Sequence, residues 1–327
     1  MDVKILSRKD IEKLDVGIDE VIEVVEAGFR LKGEKKVELP PKIGIHPRAD
    51  CHIHAMPCHV AGQMDVAGIK WISGYSTNQE KGLPYITGIV CLNDVNTGFV
   101  KAVMDANWIT AWRTGAATGV CAKYMADSDS ETIAIIGLGV QGRTNAIALA
   151  NVLPKLKRIQ AFDLYPSQSE KYKDFLGDKL KGVEIALCAT AEEAVKGADV
   201  IVTCTAIVEN PKRYIRQDWL KKNSLSIAVD YDSSFEAGVM VAVEAFVCDD
   251  LNQYIRTQDQ GVHFQKGYPG VNDILGDLGD LCSGKIQSPM KGYRSAVLMG
   301  IASHDVLTAD LIYRKAEKTG IGKVVQI

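Results

Sequence analysis

Much is missing from this sequence. No apolar run approaches the roughly 18 residues that a membrane span needs, and there is neither an internal repeat nor a low-complexity segment. No CxxC occurs. The eight cysteines, at 51, 58, 91, 121, 188, 204, 248 and 282, follow no framework spacing. Cys121, Cys188 and Cys204 sit in apolar runs, where a thiol behaves as a small hydrophobe. That usage argues against a disulfide scaffold and for a reducing, cytoplasmic setting. The opening residues Met1-Asp2-Val3-Lys4 lack the charged-then-apolar pattern of a signal segment. Basic residues form no block. The runs at Lys32–Lys36 and Lys221–Lys222 are short and the net charge is −3, so the charge pattern excludes neither face of the molecule from water and gives no sign of a nucleic-acid or membrane partner.

What is present is ordinary in bulk and specific in detail. The 327 residues, 46% hydrophobic and 24% charged, suffice for two domains with a large core. Ile18, Val21, Ile22, Val25 and Phe29 recur at helical spacing among acids, which predicts an amphipathic helix over 18–32. Pro40-Pro41 would stop any helix there. Residues 42–104 read mostly as strands. One is predicted at Val66–Ser73, and Tyr85–Leu92 with Phe99–Met104 forms a hairpin whose Asn93–Gly98 linker has turn chemistry. A helix over 107–125 follows, rich in small residues from Thr114 to Gly119 that let a backbone or a ligand approach closely.

After the polar stretch Asp127–Ser130 the pattern changes. Strands are expected at 132–137, 158–163, 183–188, 199–205, 225–230 and 245–249, with helices between most of them. Continuous apolar runs such as Ile133–Ile136 suit buried parallel strands, and the alternation predicts an α/β, doubly wound domain. The tail, 293–318, reads as helix returning to the first domain. The expected division is 1–125 with 300–327, an α+β domain, and 126–299, a Rossmann-type nucleotide domain.

Gly137-Leu138-Gly139-Val140-Gln141-Gly142 is a GxGxxG between a predicted strand and a predicted helix, the context that gives the motif meaning. Gly137 makes the turn, Gly139 admits a pyrophosphate and Gly142 lets helix and strand pack. Phosphates there meet free N–H groups at the helix N-terminus. Asp163 ends the next strand, where a carboxylate accepts from a ribose 2′-OH and repels a 2′-phosphate, which favours NAD over NADP.

Charged residues in apolar company complete the candidates. Lys70 lies within Val66–Ile72 and Arg113 faces Ala116, Ala117 and Val120 along its helix. Either cation could hold an anionic substrate, and a guanidinium pairs bidentately with a carboxylate. Structural readings stand beside these: a snorkelling edge lysine and an internal ion pair. Asp230 and Asp232 follow the run Leu225–Val229, at a strand's carboxyl end, where proton-transfer groups are well placed and turn aspartates are also common. His46, His52, His54 and His59 cluster, with His52 and His54 on one strand face, but no partner of telling spacing accompanies them, so no metal site is assigned.

Taken together, these segments resemble the ornithine cyclodeaminase/μ-crystallin family over nearly the whole chain. The likeness is strongest in Gly68–Ser73, Leu92–Gly98, Val103–Ala117 and Ile135–Gly142. It implies a first domain that binds substrate and forms a homodimer. It also implies substrate contacts at Lys42, Lys70 and Arg113, catalytic roles for Asp232 and Lys70, cofactor contacts at Arg113, Val140, Gln141, Asp163 and Thr205, and a nicotinamide lining from Val229, Asp230 and Tyr231. Three positions depart from the family pattern. Lys42 stands where an arginine for the substrate carboxylate is usual, Glu236 where cyclodeaminases can carry lysine, and Leu298 where serine is common. The implied chemistry is hydride transfer between NAD and the Cα of an amino acid through an imine, as cyclodeaminase or amino-acid dehydrogenase, or reversed as cyclic ketimine reductase. It requires Lys70, Arg113 and Asp232 to serve one substrate. A non-catalytic, crystallin-like nucleotide binder is the rival of another class.

Overall fold

The computed structural model describes residues 2–49 and 51–327; Met1 of the amino-terminal reading lies outside them. The chain divides into two compact units, residues up to Arg113 with Gly300–Ile327, and Thr114–Met299. The division falls inside the helix Ala106–Met125 rather than in the polar stretch after it.

The first unit is an eight-stranded sheet with two long helices. Strands Cys51–Val60, Val66–Tyr75, Ile86–Asn93 and Val100–Asp105 pair antiparallel in sequence order. Asp2–Leu6 then pairs parallel with the last of these, and Lys323–Gln326 closes that edge antiparallel. The expected hairpin is present, with a register shift at Leu92/Asn93. Residues directly opposite in such pairs share a face. Met56, Lys70, Val90 and Met104 form one such row, each at most 4% exposed. Helix Ala302–Thr319 packs on the strands carrying it and on helix Ile18–Gly33. The opposite row, Ile43, Ala55, Trp71 and Ile89, faces outward, with Ile43, Trp71 and Ile89 55%, 47% and 43% exposed.

The second unit is an eight-stranded, wholly parallel sheet. In spatial order its strands are Glu184–Leu187, Arg158–Phe162, Thr132–Ile136, Val200–Thr203, Ser224–Ala228, Tyr293–Val297, Ala245–Cys248 and Gly276–Asp277. All six expected strands form. One reading needs correction: 293–297 is strand, not the start of the final helix, which begins at Ala302. Tyr293-Arg294-Ser295-Ala296-Val297 is too short and mixed to show a period, and its partners on both sides fix it as a buried central strand. The order places the glycine loop, after Thr132–Ile136, next to the ends of Val200–Thr203 and Ser224–Ala228. That is the Rossmann arrangement, in which ligands lie beyond the strands' carboxyl ends.

All eight cysteines are free thiols. Among the described residues no helix is long and apolar enough to cross a membrane, and no group of three or more His, Cys, Asp or Glu is arranged to hold a metal ion.

Candidate active site

In the first unit the sequence's two cations meet on an acid that sequence reasoning missed. Asp305 receives Lys70 Nζ at 2.9 Å on one carboxylate oxygen and Arg113 Nε at 2.8 Å on the other. All three side chains are buried. Burial penalises the Asp305 carboxylate, but Arg113 and Lys70 outweigh that and hold its pKa below the usual range. Burial drives the Lys70 ammonium down to about 7, with Arg113 pushing the same way and Asp305 opposing. Gly300, at φ +82°, makes room for the guanidinium: a Cβ there would lie 2.4 Å from Arg113 Nη1. Asp305 sits in the first turn of its helix, where the macrodipole favours an anion. Its signal in the sequence was an acid among Ile301, Ala302, Val306 and Ala309, an otherwise apolar helix start.

Beside this triad, on the same sheet face, lie the strand histidines. His52 and His54 stack with ring centroids 4.4 Å apart, and His46 stands edge-on to His54 at 6.4 Å. Gly74 lies opposite His52 and Gly44 opposite His54, and a Cβ at either would collide with the imidazole. Burial, then Lys42, lowers His52 to about 4 and His54 to about 3, so both rings are neutral near pH 7. Lys42 is half-buried at this edge. His59 pairs with Asp65 at 3.0 Å, away from the others.

In the second unit the glycine loop fits a dinucleotide. Gly137 has φ +91°, and a Cβ there would lie 2.7 Å from the Cys204 backbone. One at Gly142 would lie 2.2 Å from the Gly137 carbonyl. At Gly139 a Cβ would meet nothing within 4 Å, so the middle glycine is not needed for packing; it leaves space in front of the N-terminus of helix Val140–Val152. Val140 is 61% exposed there, and Gln141 Oε1 is buried with no hydrogen-bond partner. An open cradle facing the free N–H groups at a helix N-terminus suits a bound pyrophosphate. The small-residue helix serves a backbone too, for a Cβ on Gly115 would sit 2.5 Å from the Thr144 carbonyl oxygen.

Asp163 caps this loop, accepting from Leu138 N–H at 2.7 Å and Tyr165 N–H at 2.9 Å. Asp230 points inward: its carboxyl accepts from the hydroxyls of Thr203, Thr205 and Ser234 at 2.5, 2.5 and 2.7 Å, while burial raises its pKa. The expected contacts at Asp230 and Thr205 are thereby linked into one network, with Thr205 N–H donating to Asp230 as well. Val229 continues the strand end, its N–H donating to the Thr203 carbonyl.

Asp232 is fully buried and held from three sides. Arg213 Nη2 and Phe264 N–H (2.9 Å) reach one oxygen, and His263 Nδ1 lies 3.3 Å from the other. Burial opposes the charge, but hydrogen bonds from His263, Arg213 and Phe264 lower the pKa overall. Arg213 is itself fixed on the Gln265 and Asp232 carbonyls and over the Tyr268 ring. Neither Arg213 nor His263 was singled out from sequence, because both lie in loops without periodicity. Of the departures, Glu236 is exposed and Leu298 is buried.

Residues 1–320 match the family described as Ornithine cyclodeaminase/mu-crystallin family. A solved structure of Thermococcus litoralis Delta(1)-pyrroline-2-carboxylate reductase, in complex with NADH and L-proline, is similar at 30% identity and TM-score 0.88, over 99% of this chain and all of that one. An archaeal alanine dehydrogenase dimer with bound NAD is similar at 29% identity and TM-score 0.87, over the full length of both chains. L-lysine cyclodeaminase of Streptomyces rapamycinicus is 31% identical, over all of this chain and 96% of its own.

Proposed function

The chain belongs to the ornithine cyclodeaminase/mu-crystallin family, and from that premise we propose that it is an NAD-dependent enzyme that moves a hydride between the nicotinamide ring and the Cα of a small amino acid or its imine. The observation that carries the substrate half is the buried pairing of Lys70 and Arg113 on the single carboxylate of Asp305. Two cations on one anion leave a surplus positive charge in a low-dielectric setting, which an amino-acid carboxylate neutralises. Lys70 and Arg113 therefore hold that carboxylate, with Lys42 as a third cation, and Asp305 keeps the pair in place.

In the nucleotide unit the first-turn N–H groups of the helix at Val140, with Gly137, Gly139, Gln141 and Gly142, receive the pyrophosphate. Asp163 faces the ribose, and Thr205, Val229, Asp230 and Tyr231 line the nicotinamide end. When bound, the dinucleotide supplies the hydride acceptor or donor. The proton accompanying the chemistry is managed by a centre built on Asp232.

One geometry serves three outcomes: attack on the imine by a side-chain amine, attack by water, or reduction of a cyclic imine. They match the names of the cyclodeaminase, dehydrogenase and reductase relatives. A homodimer through the outward row of Ile43, Trp71 and Ile89, and a cytoplasmic location suited to eight free thiols, belong to the same proposal. The test is the absorbance of reduced nicotinamide on mixing the protein with NAD plus ornithine, lysine or alanine, or with NADH plus cyclic imines, followed by product analysis. Tight nucleotide binding with no turnover on the whole panel would reject the enzyme reading in favour of a non-catalytic binder.

A further inference from the structure

We propose that the proton-transfer atom of this protein is Nε2 of His263, and that Asp232 is its positioning residue. The inference rests on the proposed amino-acid chemistry and names the group that serves it. Its first support is geometric. A carboxylate only accepts hydrogen bonds, so the 3.3 Å contact between Asp232 Oδ1 and His263 Nδ1 places the ring hydrogen on Nδ1 and the lone pair on Nε2. Nε2 has no protein partner among the described residues, while the side chain keeps 17% of its surface open. Asp232 is unsuited to exchange a proton itself. It is wholly buried, and Arg213 and the Phe264 N–H both occupy its other oxygen. This is the logic of an acid that orients an imidazole and stabilises it once charged.

The second support is backbone strain. Of the seven described non-glycine residues with positive φ, four surround this group: Arg213 (41°), Tyr231 (62°), Phe264 (59°) and Lys266 (57°). Left-handed backbone is strained for a residue with a Cβ, and such strain gathers where a fixed side-chain geometry is part of a mechanism. Here it aims the loop 263–266 at Asp232, and the Tyr231 ring stands edge-on to His263 at 5.2 Å. The third is place. Asp232 follows the carboxyl end of Ser224–Ala228, one strand removed from the glycine loop through Thr205 and Asp230. The step is a simple exchange: a substrate N–H bond breaks, its electron pair stays on nitrogen, and an Nε2–H bond forms. Imine reduction runs it in reverse.

Two measurements on the full chain test this. Diethyl pyrocarbonate labelling, mapped by mass spectrometry, should modify His263 in the free protein, and NADH with an amino acid should protect it. An unlabelled or unprotected His263 overturns the proposal. His263→Ala should keep its nucleotide affinity while kcat falls by about a hundredfold or more, and added imidazole should restore part of the loss. Turnover within about threefold of wild type, or a loss that imidazole leaves untouched, overturns it equally. If wild-type protein turns over no substrate, the enzyme reading fails and this proposal falls with it; turnover by wild type with an unprotected or dispensable His263 overturns this proposal alone.

Discussion

Lys70 and Asp305 meet at 2.9 Å with side chains 2% and 0% exposed, so the ammonium belongs to the core row of the sheet and not to its edge. Removing one member of a buried pair costs far more than the pair contributes, because the other charge is left uncompensated. Asp305→Asn strands two cations at once. The expected loss in a denaturant unfolding curve is about 3–5 kcal/mol. Replacing Lys70, Arg113 and Asp305 together by methionine, methionine and leucine should recover most of it, because no buried charge is then left unpaired. A single variant within about 1 kcal/mol of wild type would show that the triad does not hold this unit together.

The Lys70 pKa of about 7 has a direction that can be measured. Between about 7 and its ordinary 10.5, the unfolded chain binds a proton that the folded one lacks, so this group makes stability rise with pH across that window. Ligand binding has the opposite sign. A carboxylate beside Lys70 favours the ammonium, so near pH 8 binding of the amino acid should take up a proton, and affinity should weaken as pH rises above 7. Calorimetry in buffers of different ionisation enthalpy would show the uptake. Proton release, or affinity that strengthens with pH, would place the substrate carboxylate elsewhere.

The glycine loop separates a folding role from a binding role. Gly142→Ala puts a Cβ 2.2 Å from the Gly137 carbonyl, against backbone that cannot swing aside, and should lower the melting temperature. Gly139→Ala meets nothing within 4 Å and has an extended backbone, φ −72° and ψ −153°, that alanine adopts. It should leave the melting temperature unchanged and weaken NAD binding at least tenfold, about 1.4 kcal/mol. Unchanged affinity in Gly139→Ala would mean that the cradle does not receive the pyrophosphate.

Legibility in the sequence followed the kind of signal available. The parallel strands of the nucleotide unit are continuous apolar runs and were found to within two residues at most ends, and the glycine loop announced its own geometry. Lys70 and Arg113 stood out because a charge in apolar company needs a partner. The partner itself, Asp305, lies nearly two hundred residues beyond Arg113, a separation no local pattern bridges. Tyr293–Val297 was misread because five mixed residues beside a strong helix carry no period of their own; only its two neighbouring strands define it. Arg213 and His263 lie in loops whose shape is set by left-handed residues and by Asp232, a relation that exists only in three dimensions.

The outward row of the first sheet bears on assembly. Ile43, Ala55, Trp71 and Ile89 lie directly across from one another on the face away from the helices, and among the described residues no element covers them. Four aligned apolar positions on one sheet face suit association with a second copy, since an isologous contact repeats the same patch on both partners. Trp71→Asp places a carboxylate at the centre of that row without touching Lys70, whose side chain lies on the other face. An unpaired charge in a buried interface should weaken the dimer by about 3 kcal/mol or more, roughly a hundredfold in dissociation constant. Sedimentation velocity should then show monomers at concentrations where the proposed dimer of the wild-type protein forms, with the unfolding midpoint little changed. A Trp71→Asp protein that remains dimeric would move the interface to another surface.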